Sequence, residues 1–264
     1  MQNKQYPHNI IQSILSTLFI FMTAVPLFLI LNFINIPEDI KSSVLFIISV
    51  SGAIIIIHIH NKKKYAVVRH NFRLQDFSLL LLLIGATIVF IIGLYVPFNK
   101  TINTVFRTQD AITNPFENLL FFAGAISIGP ILEEILFRGM ILRGLLTTKS
   151  PISAILISSL LFGVIHIKPI QIINGFILGL FIGWIYYKTR SIGVTIIIHS
   201  ISNLTVVICN YLFFKFGNQE LFSVKHIYGN LTLFLIIPSC ALLPVLVLLI
   251  LKKTRNKPIK RNQH

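Results

Sequence analysis

Acidic residues are scarce in this chain. There are 8 Asp and Glu in 264 residues against 23 Lys and Arg, and the four charged types together make up only 12%. A soluble domain carries about 25% charge, so an ordinary soluble globular protein is excluded. Disorder is excluded as well, because disordered chains are poor in aromatic and β-branched residues, whereas this one has 22 Phe and unbroken runs such as Ile54 to Ile57. Cysteine is nearly absent: Cys209 and Cys240 both fall in apolar stretches, which argues against a disulfide framework and for packing groups. No internal repeat is present, and the one biased segment is the basic tail 252–264, read as a disordered stop-transfer segment touching lipid headgroups. What is plentiful is apolar surface, 55% of residues with a mean hydropathy of +0.82. The class is an all-α polytopic integral membrane helix bundle, taken as one membrane domain because bundled spans share an interior.

Apolar windows of roughly 20 residues fall at 10–34, 42–60, 77–97, 118–146, 152–167, 170–187, 192–212 and 228–251, predicting eight transmembrane helices. The first is too long for a secretory h-region of about 7 to 15 residues and no Ala-x-Ala site follows it, so it is expected to be retained. A net charge of +15 would raise the question of nucleic acid in a soluble protein, but here the basic residues flank spans and no nucleic-acid partner is expected. With the N-terminus inside, sixteen Lys and Arg fall on the cytoplasmic side, including Lys62, Lys63, Lys64, Arg69, Arg73, Arg143, Lys149, Lys188, Arg190 and the tail. Six fall outside: Lys41, Lys100, Arg107, Lys168, Lys215 and Lys225. That asymmetry puts both termini in the cytoplasm. The chain divides into 1–114, N-terminal spans without a motif; 115–212, a core carrying the polar groups; and 213–264, the last span and basic tail.

A charge at mid-bilayer costs at least about 2.5 to 3.5 kcal/mol on insertion scales, so ionisable residues inside spans are the informative ones. The fourth span places Glu133, Glu134 and Arg138 within six positions, just after Pro130. Glu134 and Arg138 are four apart on one helix face and can neutralise each other. Glu133 is turned about 100° away and is expected to lack that partner, which suits an unpaired carboxyl acting as general base. Pro130 removes a helical hydrogen bond, a defect tolerated at membrane depth where it packs on protein or lines a cavity.

Two further spans carry polar groups: Phe162 and His166 in the fifth, His199 and Asn203 in the seventh, each an i,i+4 pair. At 1.5 Å per residue, Glu133, His166, His199 and Asn203 lie about 20, 21, 10 and 16 Å from the cytoplasmic ends of their spans. All four therefore fall in the middle layer and can meet. Gly175, Gly179 and Gly183 form a small-xxx-small stripe for close helix packing, with Asn174 beside it as an interhelical hydrogen bonder. His58 and His60 sit at the basic end of the second span, two apart and so on different faces, which reads as interfacial placement rather than metal binding.

Taken in order, Glu133-Glu134 with Arg138, Phe162 with His166, and His199 with Asn203 resemble the CPBP family of intramembrane proteases, which includes the type II CAAX prenyl endopeptidases and bacterial relatives of the bacteriocin-immunity and abortive-infection type. The family pattern is Glu-Glu-x-x-x-Arg, Phe-x-x-x-His and His-x-x-x-Asn, and the resemblance spans residues 115 to 210. It implies that Glu133 and His166 activate a water, that His199 and Asn203 stabilise the oxyanion, and that Glu134, Arg138 and Phe162 organise the site. The family's chemistry has been read with and without a metal. No cofactor is the expectation here, because Arg138 already supplies a cation beside Glu134; in the zinc alternative Glu133, His166 and His199 are the ligands.

The function expected is hydrolysis of a membrane-associated protein or peptide within the lipid bilayer. The alternatives are a non-catalytic scaffold or bacteriocin self-immunity protein, or a transporter passing protons on the same groups; related halves, which a transporter reading would favour, are not seen. Short loops and an Ile, Lys and Asn bias look bacterial, which points to the plasma membrane and away from prenylated substrates. In a chain with Cys209 and Cys240 replaced by alanine, cysteines introduced as Lys64→Cys or Lys257→Cys should react with an impermeant maleimide only from the cytoplasmic side, and Thr108→Cys only from outside. The opposite labelling would overturn the topology.

Overall fold

The computed structural model describes residues 5–65, 70–74, 76–98, 119–216 and 231–255. Every regular element among them is helical. Helix α1 (Ile10–Leu31) starts where the Asn9 side chain accepts from the Gln12 backbone N–H at 2.9 Å, a side-chain N-cap. It buries Ser13, Ser16 and Thr17 while Ile11, Leu15, Met22 and Leu29 are exposed. This is the reverse of a soluble helix. The buried hydroxyls are satisfied by their own helix, Ser13 donating to Asn9 O at 2.9 Å, Ser16 to Gln12 O at 2.8 Å and Thr17 to Ser13 O at 3.0 Å, so inward polar groups need no water.

Then come α2 (Glu38–Lys64), α3 (Phe77–Phe90) with a π-helical continuation Ile91–Tyr95, α4 (Leu119–Ile126), α5 (Ile128–Glu134) with a π-helical continuation Ile135–Leu142 and a turn Arg143–Leu145, α6 (Pro151–Val164), α7 (Pro169–Thr189), α8 (Ile192–Phe216) and α9 (Leu231–Arg255). Among the described residues five stretches are long and apolar enough to cross a bilayer: Ile10–Leu31, Ile40–Lys64, Phe77–Phe98, Pro169–Thr189 and Ile192–Leu212. Three of the eight expected spans are not among them: 228–251, although α9 covers most of it, and two others for visible reasons. Residues 118–146 do not form one helix, because the chain breaks at Ser127. Pro130 then falls in the first turn of α5, where its missing N–H costs least. The fifth predicted span is α6, 14 residues or about 21 Å, which is short of the roughly 30 Å hydrocarbon core.

The chain forms two compact units, one from Met1–Arg73 with Pro115–Ser200 and one from Leu74–Asn114 with Ile201–His264. In the second, α9 packs on α3 and its π-helical continuation, and Lys253 Nζ donates to Ser78 Oγ. The first is built on the α6–α7 pair. The glycines expected to pack do so here: a Cβ on Gly175 would lie 3.0 Å from Gly163 Cα, one on Gly179 3.0 Å from Ser159 Cβ and one on Gly183 3.2 Å from Ile155 Cγ2, and opposite them one on Gly163 would lie 2.5 Å from Ile172 O. The two backbones touch along a whole face, as in small-residue contacts between membrane helices.

Several chain ends gather within this unit. Asn71 Nδ2 donates to Arg190 O at 2.9 Å, Ser191 Oγ to Arg73 O at 2.6 Å, and the Ile192 N–H to Asn71 O at 2.8 Å. His70 stands over Gly139 and Ile192. Burial first, then the charges of Arg143 and His58, push its imidazole down to about 4, so it is neutral at pH 7. Overpacking typically costs about 1 to 3 kcal/mol, so Gly163→Ala should lower the thermal midpoint in detergent. Gly52→Ala, in α2 with nothing within 4 Å, should be neutral or slightly stabilising; equal midpoints for the two would argue against the close α6–α7 contact.

Candidate active site

The break at Ser127 lets α5 deliver Glu133 and Glu134 on its last turn into protein rather than lipid, with relative exposures of 7% and 0%. Arg138 follows in the π-helical segment, 1% exposed. A π turn inside a helix is uncommon and concentrates at functional sites. Its Nη1 lies 2.9 Å from Glu134 Oε1, which is the predicted pair. Nη2 reaches the backbone oxygen of Gly179 on α7 at 3.4 Å, a carbonyl that the α6–α7 glycine contact brings into this layer.

His199, on α8 and 2% exposed, stands between the two acids. Its Nδ1 is 2.9 Å from Glu134 Oε1, and its Nε2 is 3.6 Å from Glu133 Oε2. Glu134 therefore serves two cationic or donor groups with one oxygen, and its Oε2 is buried without a hydrogen-bond partner among the described residues. Glu133 is not isolated as the helical wheel suggested. It faces His199 across a gap longer than a direct hydrogen bond.

Phe162 is the apolar centre of the site. The Arg138 guanidinium carbon lies 4.5 Å above its ring centre, a cation–π contact. Phe137, His166 and His199 meet the same ring at centroid distances of 5.3, 5.3 and 5.7 Å with near-perpendicular planes, the edge-to-face geometry that aromatic quadrupoles favour. His166 sits just past the end of α6 and is half-buried. Its Nδ1 is 3.0 Å from Phe162 O; a carbonyl accepts only, so Nδ1 is the donor, and in the neutral ring Nε2 is the acceptor. No hydrogen bond or ion pair joins His166 to Glu133 among the described residues; His166 meets the Phe162 ring, and Glu133 faces His199. Asn203 lies one turn beyond His199 on α8, half-buried and in the second compact unit.

The charges limit what the buried group can do. Two carboxylates against one guanidinium leave one negative charge to be balanced in a low-dielectric layer, where an uncompensated ion costs several kcal/mol. As for zinc, no group of three or more His, Cys, Asp or Glu side chains among the described residues is arranged to hold a metal ion. Glu134 faces His199 Nδ1 and the Phe162 carbonyl faces His166 Nδ1, contacts that leave Nε2 of each ring open, so a zinc ion would be held by those Nε2 atoms together with Glu133.

A family model described as type II CAAX prenyl endopeptidase Rce1-like matches residues 115–205. The matched stretch is similar to that endopeptidase family. It contains every residue of the three motifs, from Glu133 to Asn203. Over 81 residues the chain is 37% identical to a putative membrane peptidase, YdiL, of Bacillus subtilis (strain 168), an alignment covering 31% of this chain and 33% of that protein. The chain thus spans about a third of the length of the curated relative it matches. No solved structure matches. With this relative and its apolar helices, the chain is an integral membrane protein.

Within residues 115–205 the i,i+4 rule located the Glu134–Arg138 pair, but it missed the π-helical register of Arg138 and the hub role of Phe162. Arg138→Ala would leave Glu134 and the remaining carboxyl uncompensated, a loss of about 3 to 5 kcal/mol by analogy with other broken buried pairs. Folded yield and thermal midpoint should both fall. Wild-type values for both would show that the pair does not hold this site together.

Proposed function

We propose that the chain is an intramembrane endopeptidase cleaving a membrane-associated protein or peptide, with Glu133 as general base. The observation that carries this reading is the 3.6 Å separation of Glu133 Oε2 from His199 Nε2, beside the Glu134–Arg138 pair and inside the stretch similar to that endopeptidase family. The gap is too long for a direct hydrogen bond and short enough for one water to touch both groups. Glu133 takes a proton from that water, and the hydroxyl attacks the scissile carbonyl carbon. His166 Nε2 accepts a hydrogen bond from the water's other O–H and takes that proton only after the amine has left, when the new carboxylic acid ionises.

As the tetrahedral oxygen gains charge, donors from His199 and Asn203 hold it, a contribution of about 2.7 to 4 kcal/mol per donor in other oxyanion sites. Donation from His199 Nε2 requires the ring to carry both protons, and that form lies between two carboxylates. Protonated Glu133 then returns its proton to the leaving amine, and the carbon–nitrogen bond breaks. Glu134 and Arg138 fix the imidazole in place and touch no reacting atom.

The bacterial relative and the residue bias favour the plasma membrane of a bacterium, with both termini in the cytoplasm. They also favour a lipid-associated or signalling peptide, or one involved in bacteriocin immunity, over a prenylated protein. Glu133→Gln keeps shape and hydrogen-bonding capacity while removing the base. Quantitative proteomics of membranes carrying wild type or Glu133→Gln at equal levels should show a precursor that accumulates only with the variant, and the purified wild type should cleave it without stoichiometric zinc by elemental analysis. Identical membrane proteomes would sink the proteolytic reading. Zinc at one equivalent, with activity following its removal and return, would make Glu133, His166 and His199 ligands instead.

A further inference from the structure

The π-helical segment Ile135–Leu142 carries Arg138, and side chains distant in sequence reach its backbone. Ser158 Oγ on α6 donates to Phe137 O at 3.2 Å, and Gln5 Nε2 donates to Met140 O at 3.1 Å. Side chains inserted into the carbonyl ladder are one of the identifiable causes of departures from α-helical register. Gln5 is 6% exposed and lies 135 residues from its acceptor, so this contact is not a by-product of local chain geometry. Its segment is held on several sides. The Tyr6 N–H donates to Asn61 Oδ1 and Asn61 Nδ2 donates back to Tyr6 O, each at 2.7 Å, with Asn61 2% exposed. The Tyr6 and His60 rings meet at 4.8 Å. The His8 N–H donates to Gln12 Oε1 at 3.0 Å, and Thr148 Oγ1 donates to His8 O. Gly144 leaves room for the segment to pass, since a Cβ there would lie 1.7 Å from Pro7 O.

We infer that residues 5–8 clamp the helix that carries the site, and that Gln5 is a positioning residue which, through Met140 O, holds the π-helical register that sets Arg138 beneath Glu134. The inference rests on the proteolytic reading for its effect on rate, but not for its effect on structure. Met140 is two residues from Arg138. Among the described residues the one directed hydrogen bond of the guanidinium is a long 3.4 Å contact to Gly179 O; its contacts to Glu134 and the Phe162 ring carry no directed hydrogen bond. Its place therefore depends on the backbone that carries it. Loss of the clamp lets the segment relax toward α-helical spacing, which turns Arg138 relative to Glu134 and loosens the His199 imidazole.

Two variants of the full-length chain in detergent test this. Gln5→Met keeps the side-chain length and removes the donor; Gly144→Ala leaves Gln5 intact and displaces the Pro7 carbonyl. Both should speed amide hydrogen exchange across residues 138–144 by about fivefold to tenfold, the equivalent of one hydrogen bond, and leave exchange in α7 unchanged. Against the precursor that accumulates in Glu133→Gln membranes, both should lower kcat by a similar factor with KM unchanged. Wild-type exchange in Gln5→Met would overturn the clamp. Faster exchange with wild-type kcat would reduce Gln5 to a structural anchor and overturn its positioning role. If no precursor accumulates, the proteolytic reading fails and the exchange rates alone decide whether the clamp exists.

Discussion

The site depends on one buried ion pair. Glu134 and Arg138 are both essentially inaccessible, in a layer where a lone charge would be prohibitively costly. Their mutual neutralisation lets α5 and its π-helical continuation carry charge into the membrane layer. The same Glu134 oxygen orients His199, so the pair also fixes which imidazole nitrogen faces Glu133. Two adjacent carboxyls thus stand in different surroundings: one is tied to a guanidinium and an imidazole, and the other has a longer contact to the same imidazole. Divergent environments around paired carboxyls are the common route to separate structural and acid–base roles.

The packing follows from that constraint. Arg138 can lie under Glu134 and over Phe162 only because α7 comes close enough for the Gly179 carbonyl to meet the guanidinium, and α7 comes that close only because glycines line its contact with α6. Phe162 then joins groups from three stretches of chain, Arg138, His166 and His199, against one ring. A rigid, apolar hub with polar groups around its faces and edges keeps polar atoms at fixed positions without water to solvate them. The hydroxyls of α1 follow the same rule in a simpler form, each satisfied within its own helix.

Much of this is legible in the sequence because membranes make polar residues conspicuous. Scarce charge and long apolar runs specify a helical membrane protein, and the i,i+4 spacing of Glu134 and Arg138 specifies their pairing. The glycine stripe specifies a close contact, though not its partner. Other features are not encoded at short range. The π-helical register at Arg138 differs from α-helix by one residue in hydrogen-bond spacing and is set by donors such as Gln5, which no local pattern reveals. The break at Ser127 was hidden because Pro130 was read as a defect inside one helix rather than as the start of another. Glu133 looked isolated on a helical wheel because a wheel cannot show His199, 66 positions later in the chain, turning its second nitrogen toward it.

The central claim is a division of labour between two neighbouring acids, and it is tested most directly by measuring thermal midpoint and cleavage on Glu133→Gln and Glu134→Gln side by side in the same detergent. Glu133→Gln should keep the wild-type midpoint and lose cleavage. Glu134→Gln, which strands the Arg138 guanidinium, should lose both. A midpoint that falls equally in the two variants, or cleavage that survives in Glu133→Gln, would contradict the account.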